Sequence, residues 1–315
     1  MGERSSSAAS APSASSGSSP TALANALGRT YIADTKTALS AWLALELGRP
    51  LLVEGPAGVG KTDLARALAE TLGRPLVRLQ CYEGLDEAKA LYEWDYAKQM
   101  LYTQLLRDAA LAQTDGAPSI AEAADRVAGA ETAFFSKRFL ISRPLLAALE
   151  SETPAVLLVD EVDRADPEFE AFLLEILAEQ QITIPELGTV KATHPPLVIL
   201  TTNGTRDMTD ALRRRCLHAF LDYPPPSREI AILELRVPGI AKGLAEALVG
   251  FVHGVRALEL RKAPSIAETI DWARALILLG ASALDKELAS STLGVLLKHE
   301  EDRRKVEADL GKLGL

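Results

Sequence analysis

The sequence is short of several things, and each shortage excludes a class of protein. Cysteine occurs only twice, at Cys81 and Cys216. Two distant cysteines make neither a disulfide framework nor a metal-ligand spacing, so both are read as reduced thiols in a cytoplasmic protein. The four histidines, His194, His218, His253 and His299, include no pair at the spacing of a helical metal site. No apolar run approaches the roughly 18 residues of a membrane span. The N-terminus lacks the apolar core of a secretory signal. Basic residues are outnumbered, 34 Lys and Arg against 43 Asp and Glu, for a net charge of -9. Nucleic acid rewards a basic surface, so it is an unlikely partner on this balance. Residues 1–20 contain no Leu, Ile, Val or aromatic residue. Such a stretch cannot bury enough apolar surface to order itself, and residues 1–23 are expected to be a disordered Ser/Ala-rich tail.

What remains is ordinary for a soluble globular chain, with 48% hydrophobic and 24% charged residues among 315. That length holds one large domain or two modest ones. Short apolar runs at Leu51–Val53, Pro75–Leu79, Ala155–Asp160 and Leu197–Thr202 alternate with helical stretches. Largely apolar runs of this length suit parallel strands covered on both faces. Asp166 and Pro167 read as an N-cap and first residue of a helix through Leu177. At Pro224-Pro225-Pro226 the strand signals stop. Helices are predicted over Ser227–Leu235, Ile240–Leu258, Ser265–Leu279 and Asp285–Lys298, with capping-box spacing between Ser265 and Glu268. The prediction is an α/β domain over 24–223 and a small all-helical domain over 224–315. The hexapeptide APSIAE at 117 and 263 reads as one helix-start chemistry used twice.

Four motifs carry chemistry. The first is Gly55-Pro56-Ala57-Gly58-Val59-Gly60-Lys61-Thr62, followed by Asp63 and a helix and preceded by an apolar strand. This is a P-loop in its proper context: backbone N–H groups and a helix N-terminus surround phosphate. Lys61 reaches the β- and γ-phosphates of ATP, and the Thr62 hydroxyl ligates Mg²⁺. The second is the apolar strand ending in Asp160-Glu161. Asp160 holds the magnesium, and Glu161 polarises the attacking water, which favours hydrolysis over transfer to a substrate hydroxyl. Asp163, Arg164 and Asp166 are assigned to local pairing and capping. The third is the strand ending at Asn203, an amide placed to hydrogen-bond that water or the γ-phosphate. The fourth is Arg213-Arg214-Arg215 on one short helix, where an arginine can serve a site across a subunit boundary.

Together these motifs resemble the AAA+ ATPases over about residues 24–280. Within that class, Gln181–Lys191 is similar to the hairpin inserted before sensor 1 in the MoxR family, as are Asp160–Ala165 and Arg49–Gly55. Tyr92–Tyr96, Phe139–Pro144, Leu212–Cys216 and Glu268–Trp272 resemble the CoxD-type subgroup. The resemblance implies a P-loop NTPase fold, a three-layer αβα domain with a parallel sheet and a helical lid. It implies Asn203 as sensor 1, Arg214 or Arg215 as the arginine finger with register slightly favouring Arg215, and Ile32 in the segment against adenine. Where sensor 2 would lie the chain reads Ser265-Ile266-Ala267-Glu268, so no sensor 2 residue is predicted, and Arg261 or Lys262 are the nearby substitutes. Tyr92, Trp94 and Tyr96 fall in a segment resembling an insert that can face a pore, though alternate aromatics fit packing better.

The function implied is an ATP-hydrolysing remodeller working as a homo-oligomeric ring, most often a hexamer. A von Willebrand factor A (VWA) domain protein is the implied partner. A metalloenzyme is the implied client, foremost a carbon monoxide dehydrogenase-type molybdenum enzyme. Two other readings compete. A DNA-acting AAA+ motor or loader is disfavoured by the acidic balance. A nucleotide-gated binding module is disfavoured by the full set Lys61, Asp160, Glu161 and Asn203.

Overall fold

In the computed structural model the described residues are 19–112 and 135–314. The four apolar runs become β1 (Leu51–Glu54), β2 (Leu76–Gln80), β5 (Val156–Asp160) and β8 (Leu197–Thr202). A fifth strand, β9 (Leu217–Phe220), completes one parallel sheet in the order β2-β5-β8-β1-β9. The central strands β5 and β8 are buried at every residue. Side chains alternate across the sheet, as the period of a strand requires. Leu157, Val159 and Leu200 face one core with Leu146, Leu149 and Phe169. Val156, Leu158 and Ile199 face the other with Leu23, Leu64 and Leu68. Each fully buried leucine contributes about 1.5–3 kcal/mol, so helices on both faces hold the sheet as the middle layer of three.

The flanking helices are α1 (Pro20–Leu27), α2 (Thr35–Leu47), α3 (Lys61–Leu72), α4 (Glu87–Ala90), α5 (Tyr96–Ala112), α6 (Pro144–Leu149), α7 (Pro167–Glu179) and α8 (Asp210–Arg215). The tail boundary needs correction. Ser19 caps α1 through Ala22, and Leu23 is fully buried, so ordered structure begins before residue 23. A Ser cap followed by proline at the first helical position is a helix start, and the low-hydrophobicity criterion overlooked it. Asp166 holds the cap position of α7 in extended backbone, and the helix runs two residues past Leu177.

Two small antiparallel sheets sit outside the main one. β3 (Tyr92–Trp94) pairs with β4 (Leu140–Ser142), and β6 (Gln181–Ile184) with β7 (Gly188–Lys191). The second is the hairpin that the sequence suggested. In the first, Trp94 is buried and Tyr92 packs on the core, whereas Tyr96 is exposed.

The C-terminal helices are α9 (Pro226–Arg236), α10 (Lys242–Arg256), α11 (Ile266–Leu278), α12 (Lys286–Leu296) and α13 (Glu300–Asp309). They enclose a separate core around Trp272, Phe251 and Leu293. The Trp272 indole donates to Thr292 Oγ1 at 2.8 Å, so its one polar atom is satisfied inside that core. Ser265 and Glu268 form the capping box that opens α11. The other copy of the hexapeptide lies outside the described residues. Among the described residues no helix is long and apolar enough to cross a membrane.

Candidate active site

β1 carries the chain into the P-loop, and α3 carries it away. At Gly55 a Cβ would stand 2.0 Å from the Leu221 carbonyl oxygen, so only glycine allows this approach. Lys61 is buried, and its Nζ donates to the carbonyls of Gly55 and Pro56 at 2.7 Å each and to Asn203 Oδ1 at 2.8 Å. All three ammonium protons are thereby used. Burial lowers the Lys61 pKa, while Asp163, Asp160 and Glu161 favour its charged form.

Asp160 ends β5 next to this lysine. Thr62 Oγ1 lies 3.0 and 3.1 Å from its two carboxylate oxygens, and Thr201 Oγ1 donates at 2.5 Å. The Arg78 guanidinium donates to Asp160 Oδ2 through Nη2 at 2.6 Å and Nε at 3.1 Å. A hydroxyl and a carboxylate converging this closely are the hard oxygen donors that suit Mg²⁺.

Glu161 adopts φ 55 and ψ 52, the left-handed region, which costs a non-glycine residue of order 1–3 kcal/mol. Its N–H donates to Thr201 Oγ1 at 2.8 Å, which helps to hold that turn. Its carboxylate accepts from Gln80 Nε2 and Arg164 Nη1, both at 3.0 Å. The turn aims Glu161 into the same cavity that Asn203 enters from β8.

Asp163 organises the Asn203 loop. Its Oδ2 accepts from the N–H groups of Asn203 and Thr205, at 3.2 and 3.0 Å, and from Thr205 Oγ1 at 2.6 Å. Burial alone would raise this carboxyl, but the Thr205 and Asn203 hydrogen bonds outweigh it and hold the pKa below its ordinary value. Further along, buried Glu170 pairs with Arg206 and accepts from the Thr209 N–H at 2.8 Å, fixing the entry to α8.

The cavity, of about 330 Å³, runs from the P-loop to the helical domain. Ala57, Gly58, Val59, Gly60, Lys61, Thr62 and Asp63 line it together with Ile32, Glu161 and Asn203. Gly55 and Pro56 contribute their carbonyls to Lys61, and Asp160 reaches it through Thr62. Tyr31, beside Ile32, has its hydroxyl pKa pushed up by burial and then by Asp34 and Asp63.

Arg214 and Arg215 are not brought to this cavity. Both are exposed on α8, whereas Arg213 turns inward, 3.5 Å from Glu54. Cys81 and Cys216 are buried, and burial pushes each thiol up to about 12, leaving them unreactive.

The helical domain closes the cavity. The Ala267 N–H donates to the Gly58 carbonyl at 3.2 Å, so the expected sensor 2 position is a backbone contact with the P-loop. Arg261 and Lys262 do not line the cavity; their N–H groups bond Asp302. Arg228, Arg236 and Arg274 line it instead. Arg228 pairs with Asp34 at 3.0 Å, and Arg236 with Asp63 at 3.4 Å. Sequence reasoning missed these arginines, although Arg274 falls on the helical face of Ala267 and Ile270, at i+7 and i+4. It also missed Arg78 and Gln80. Their signal was two polar residues at alternate positions in an apolar strand, hence on one face.

Residues 50–216 match the family model described as AAA domain (dynein-related subfamily), more than half of the chain. Among relatives, the chain is 27% identical to the gas vesicle ATPase GvpN of Ancylobacter aquaticus, over 75% of this chain and 63% of that protein. It is 29% identical to the chaperone protein ClpB 2 of Thermosynechococcus vestitus, over 50% of this chain and 14% of the other. The chain thus spans less than two thirds of the length of either relative. In fold it is similar to a mutant form of Thermotoga maritima RuvB, with TM-score 0.50 and 18% identity over 89% of this chain and 76% of that one. A P-loop, paired acids at the end of a strand of the same sheet, one strand removed from β1, and a helical cover agree with the family match: the chain belongs to the dynein-related subfamily of AAA domains.

Proposed function

We propose that the chain is a MoxR-type remodelling ATPase that hydrolyses ATP as a homo-oligomeric, hexameric ring. One observation carries this reading. Lys61, Thr62, Glu161 and Asn203 line one cavity under the helical lid, while Arg214 and Arg215 stand exposed away from it. Two of the lid arginines that line the cavity, Arg228 and Arg236, are paired with Asp34 and Asp63, and the display of further arginines away from it suits head-to-tail neighbours, whose heterologous contacts can close a ring.

Lys61 binds the β- and γ-phosphates, and the P-loop N–H groups hold their oxygens. Thr62 and Asp160 would hold Mg²⁺, which neutralises charge on the transferring phosphoryl group. Glu161 takes a proton from water as the water oxygen bonds to the γ-phosphorus. The bond to the β–γ bridging oxygen breaks, and ADP keeps that electron pair. Asn203 orients the water, and Arg214 or Arg215 of a neighbour stabilises the developing charge. Ile32 and Tyr31 form the adenine end of the cavity. Ala267 on Gly58 ties lid movement to the phosphate loop, so loss of phosphate can shift the lid and alter a client.

The paired β6–β7 hairpin and the CoxD-type motifs support a cytoplasmic role in metalloenzyme maturation. A VWA-domain partner and a carbon monoxide dehydrogenase-type molybdenum enzyme as client complete the proposal. The test of assembly is light scattering of the Glu161→Gln protein with and without ATP and Mg²⁺. A closed ring of subunits with ATP supports the reading. A variant that stays monomeric with ATP, with a parent protein that is monomeric while hydrolysing ATP, refutes it. Affinity capture with the same variant tests the VWA partner and the molybdenum enzyme, and recovery of neither removes that part.

A further inference from the structure

The last four carbonyls of a helix have no intrahelical partner, and in a helix as short as α8 their capping decides where the final residues point. Here all four are engaged. Leu212 O accepts from Cys216 Sγ at 3.3 Å. Arg213 O accepts from the Cys216 N–H at 3.2 Å and faces His218 Nε2 at 3.0 Å. The other two belong to a single distant side chain: Arg49 donates from Nη2 to Arg214 O at 2.8 Å and from Nε to Arg215 O at 3.2 Å.

Arg49 stands immediately before Pro50 and β1, the strand that delivers the P-loop. Its backbone is itself fixed, with its N–H on Ala44 O at 3.1 Å and the neighbouring Pro50 carbonyl accepting from Leu217 at 2.8 Å. A guanidinium is a rigid planar fork whose Nε and Nη2 hold two carbonyls in a fixed relative geometry, where a lysine offers one rotatable ammonium on a flexible stem. Its charge also complements the negative end of a helix. At the far end of β1, Glu54 draws Arg213 inward at 3.5 Å. The two ties leave Arg214 and Arg215 on the exposed side of the helix.

We propose that Arg49 is a positioning residue for hydrolysis: from the base of the P-loop strand it sets the helix whose exposed arginines serve the neighbouring subunit's nucleotide. This rests on the ring reading above. Arg49 touches no substrate; it acts through Arg214 and Arg215. A displacement of about 1 Å at a catalytic group can cost about 100-fold in rate, and loss of both carbonyl anchors leaves the last two residues of α8 without the side chain that caps them.

Mixed assemblies separate this role from a merely structural one. The Arg49→Met protein should bind a fluorescent ATP analogue within about twofold of the parent and hydrolyse ATP at least about tenfold more slowly. Lys61→Ala subunits have a dead site of their own but intact arginines. Mixing the two inactive proteins should restore turnover, because Lys61→Ala neighbours present their arginines to competent Arg49→Met sites. The control is the Arg214→Ala, Arg215→Ala double variant, which the same partner should rescue. If the control is rescued and Arg49→Met is not, the Arg49 role is wrong and the ring reading stands. If the control is not rescued, or keeps full turnover alone, the finger reading fails and the Arg49 role falls with it. Full turnover by Arg49→Met alone also overturns the proposal. Arg49→Lys, which keeps the charge without the fork, should fall between parent and Arg49→Met. If Arg49→Met does not fold, Arg49→Lys carries the same mixing test.

Discussion

Lys61 Nζ stands 2.8 Å from Asn203 Oδ1, joining the P-loop to the end of the central strand β8. In the proposed mechanism, the contact places the residue that holds phosphate beside the residue that orients water. Replacing Asn203 by alanine removes one of three acceptors of a buried ammonium and leaves the two P-loop carbonyls in place. Nucleotide affinity should change only a few-fold, while turnover falls by about 10²-fold, the usual cost of losing one transition-state hydrogen bond. Fluorescent nucleotide titration and phosphate-release rates measured on one preparation separate the two effects.

Gly58 lies at φ +75, and a Cβ there would stand 2.3 Å from Ser265 Oγ and 2.5 Å from Ser265 Cβ. Gly58→Ala therefore strains the loop by about 1–2 kcal/mol and pushes the lid helix α11 off the P-loop. The expected outcome is nucleotide binding weakened about tenfold, with faster release in a stopped-flow chase.

Asp163, like Asp34, contributes to the pH dependence. Its folded-state pKa is lowered against burial by the Thr205 and Asn203 hydrogen bonds. The unfolded chain therefore binds the proton more readily, and the stabilisation is fully present above the ordinary carboxyl pKa. It is lost as pH falls through the depressed folded value. Thermal unfolding of the parent should thus drop steeply at the acid end, below about pH 4. Asp163→Asn should be less stable at neutral pH and show a shallower acid limb.

Buried Glu229 is held by Arg256 through two hydrogen bonds, at 2.6 and 2.8 Å, and Arg256 also donates to Pro264 O at 2.8 Å. The guanidinium lies 4.5 Å from the Tyr223 ring centroid, ahead of the proline break. Arg256→Met leaves the buried carboxylate with His253 Nε2 at 2.9 Å but without its guanidinium, at a cost of up to about 3–5 kcal/mol. Denaturant unfolding followed by tryptophan fluorescence should show this loss. Arg256→Lys should recover part of it, because an ammonium keeps the charge without the planar fork that holds Glu229 and Pro264 at once.

Much of the fold was legible because the strands of this sheet are buried on both faces and read as unbroken apolar runs. β9 was not. Leu217-His218-Ala219-Phe220 is a short edge strand with Phe220 exposed, and such a run carries neither alternation nor continuity. The phosphate end of the site was legible because the P-loop, Asp160-Glu161 and Asn203 each sit at a strand end, where spacing fixes direction. Arg78, Gln80 and the lid arginines were not legible as parts of it. Their roles depend on which strands are neighbours and how the second domain folds back, and no local spacing encodes either. The same limit explains Arg49. Its partners are backbone carbonyls more than 160 positions away, and a carbonyl leaves no residue type to read.

The account turns on Glu161 as the base. It occupies a strained left-handed turn at the end of β5 and lines the cavity with Lys61 and Asn203, its carboxylate held by Gln80 and Arg164. Single-turnover hydrolysis of saturating ATP by the assembled Glu161→Gln protein tests it most directly. The account predicts ATP bound as tightly as by the parent and phosphate release slowed by at least about 100-fold, the low end of general-base catalysis. Undiminished phosphate release from the same complex would contradict it.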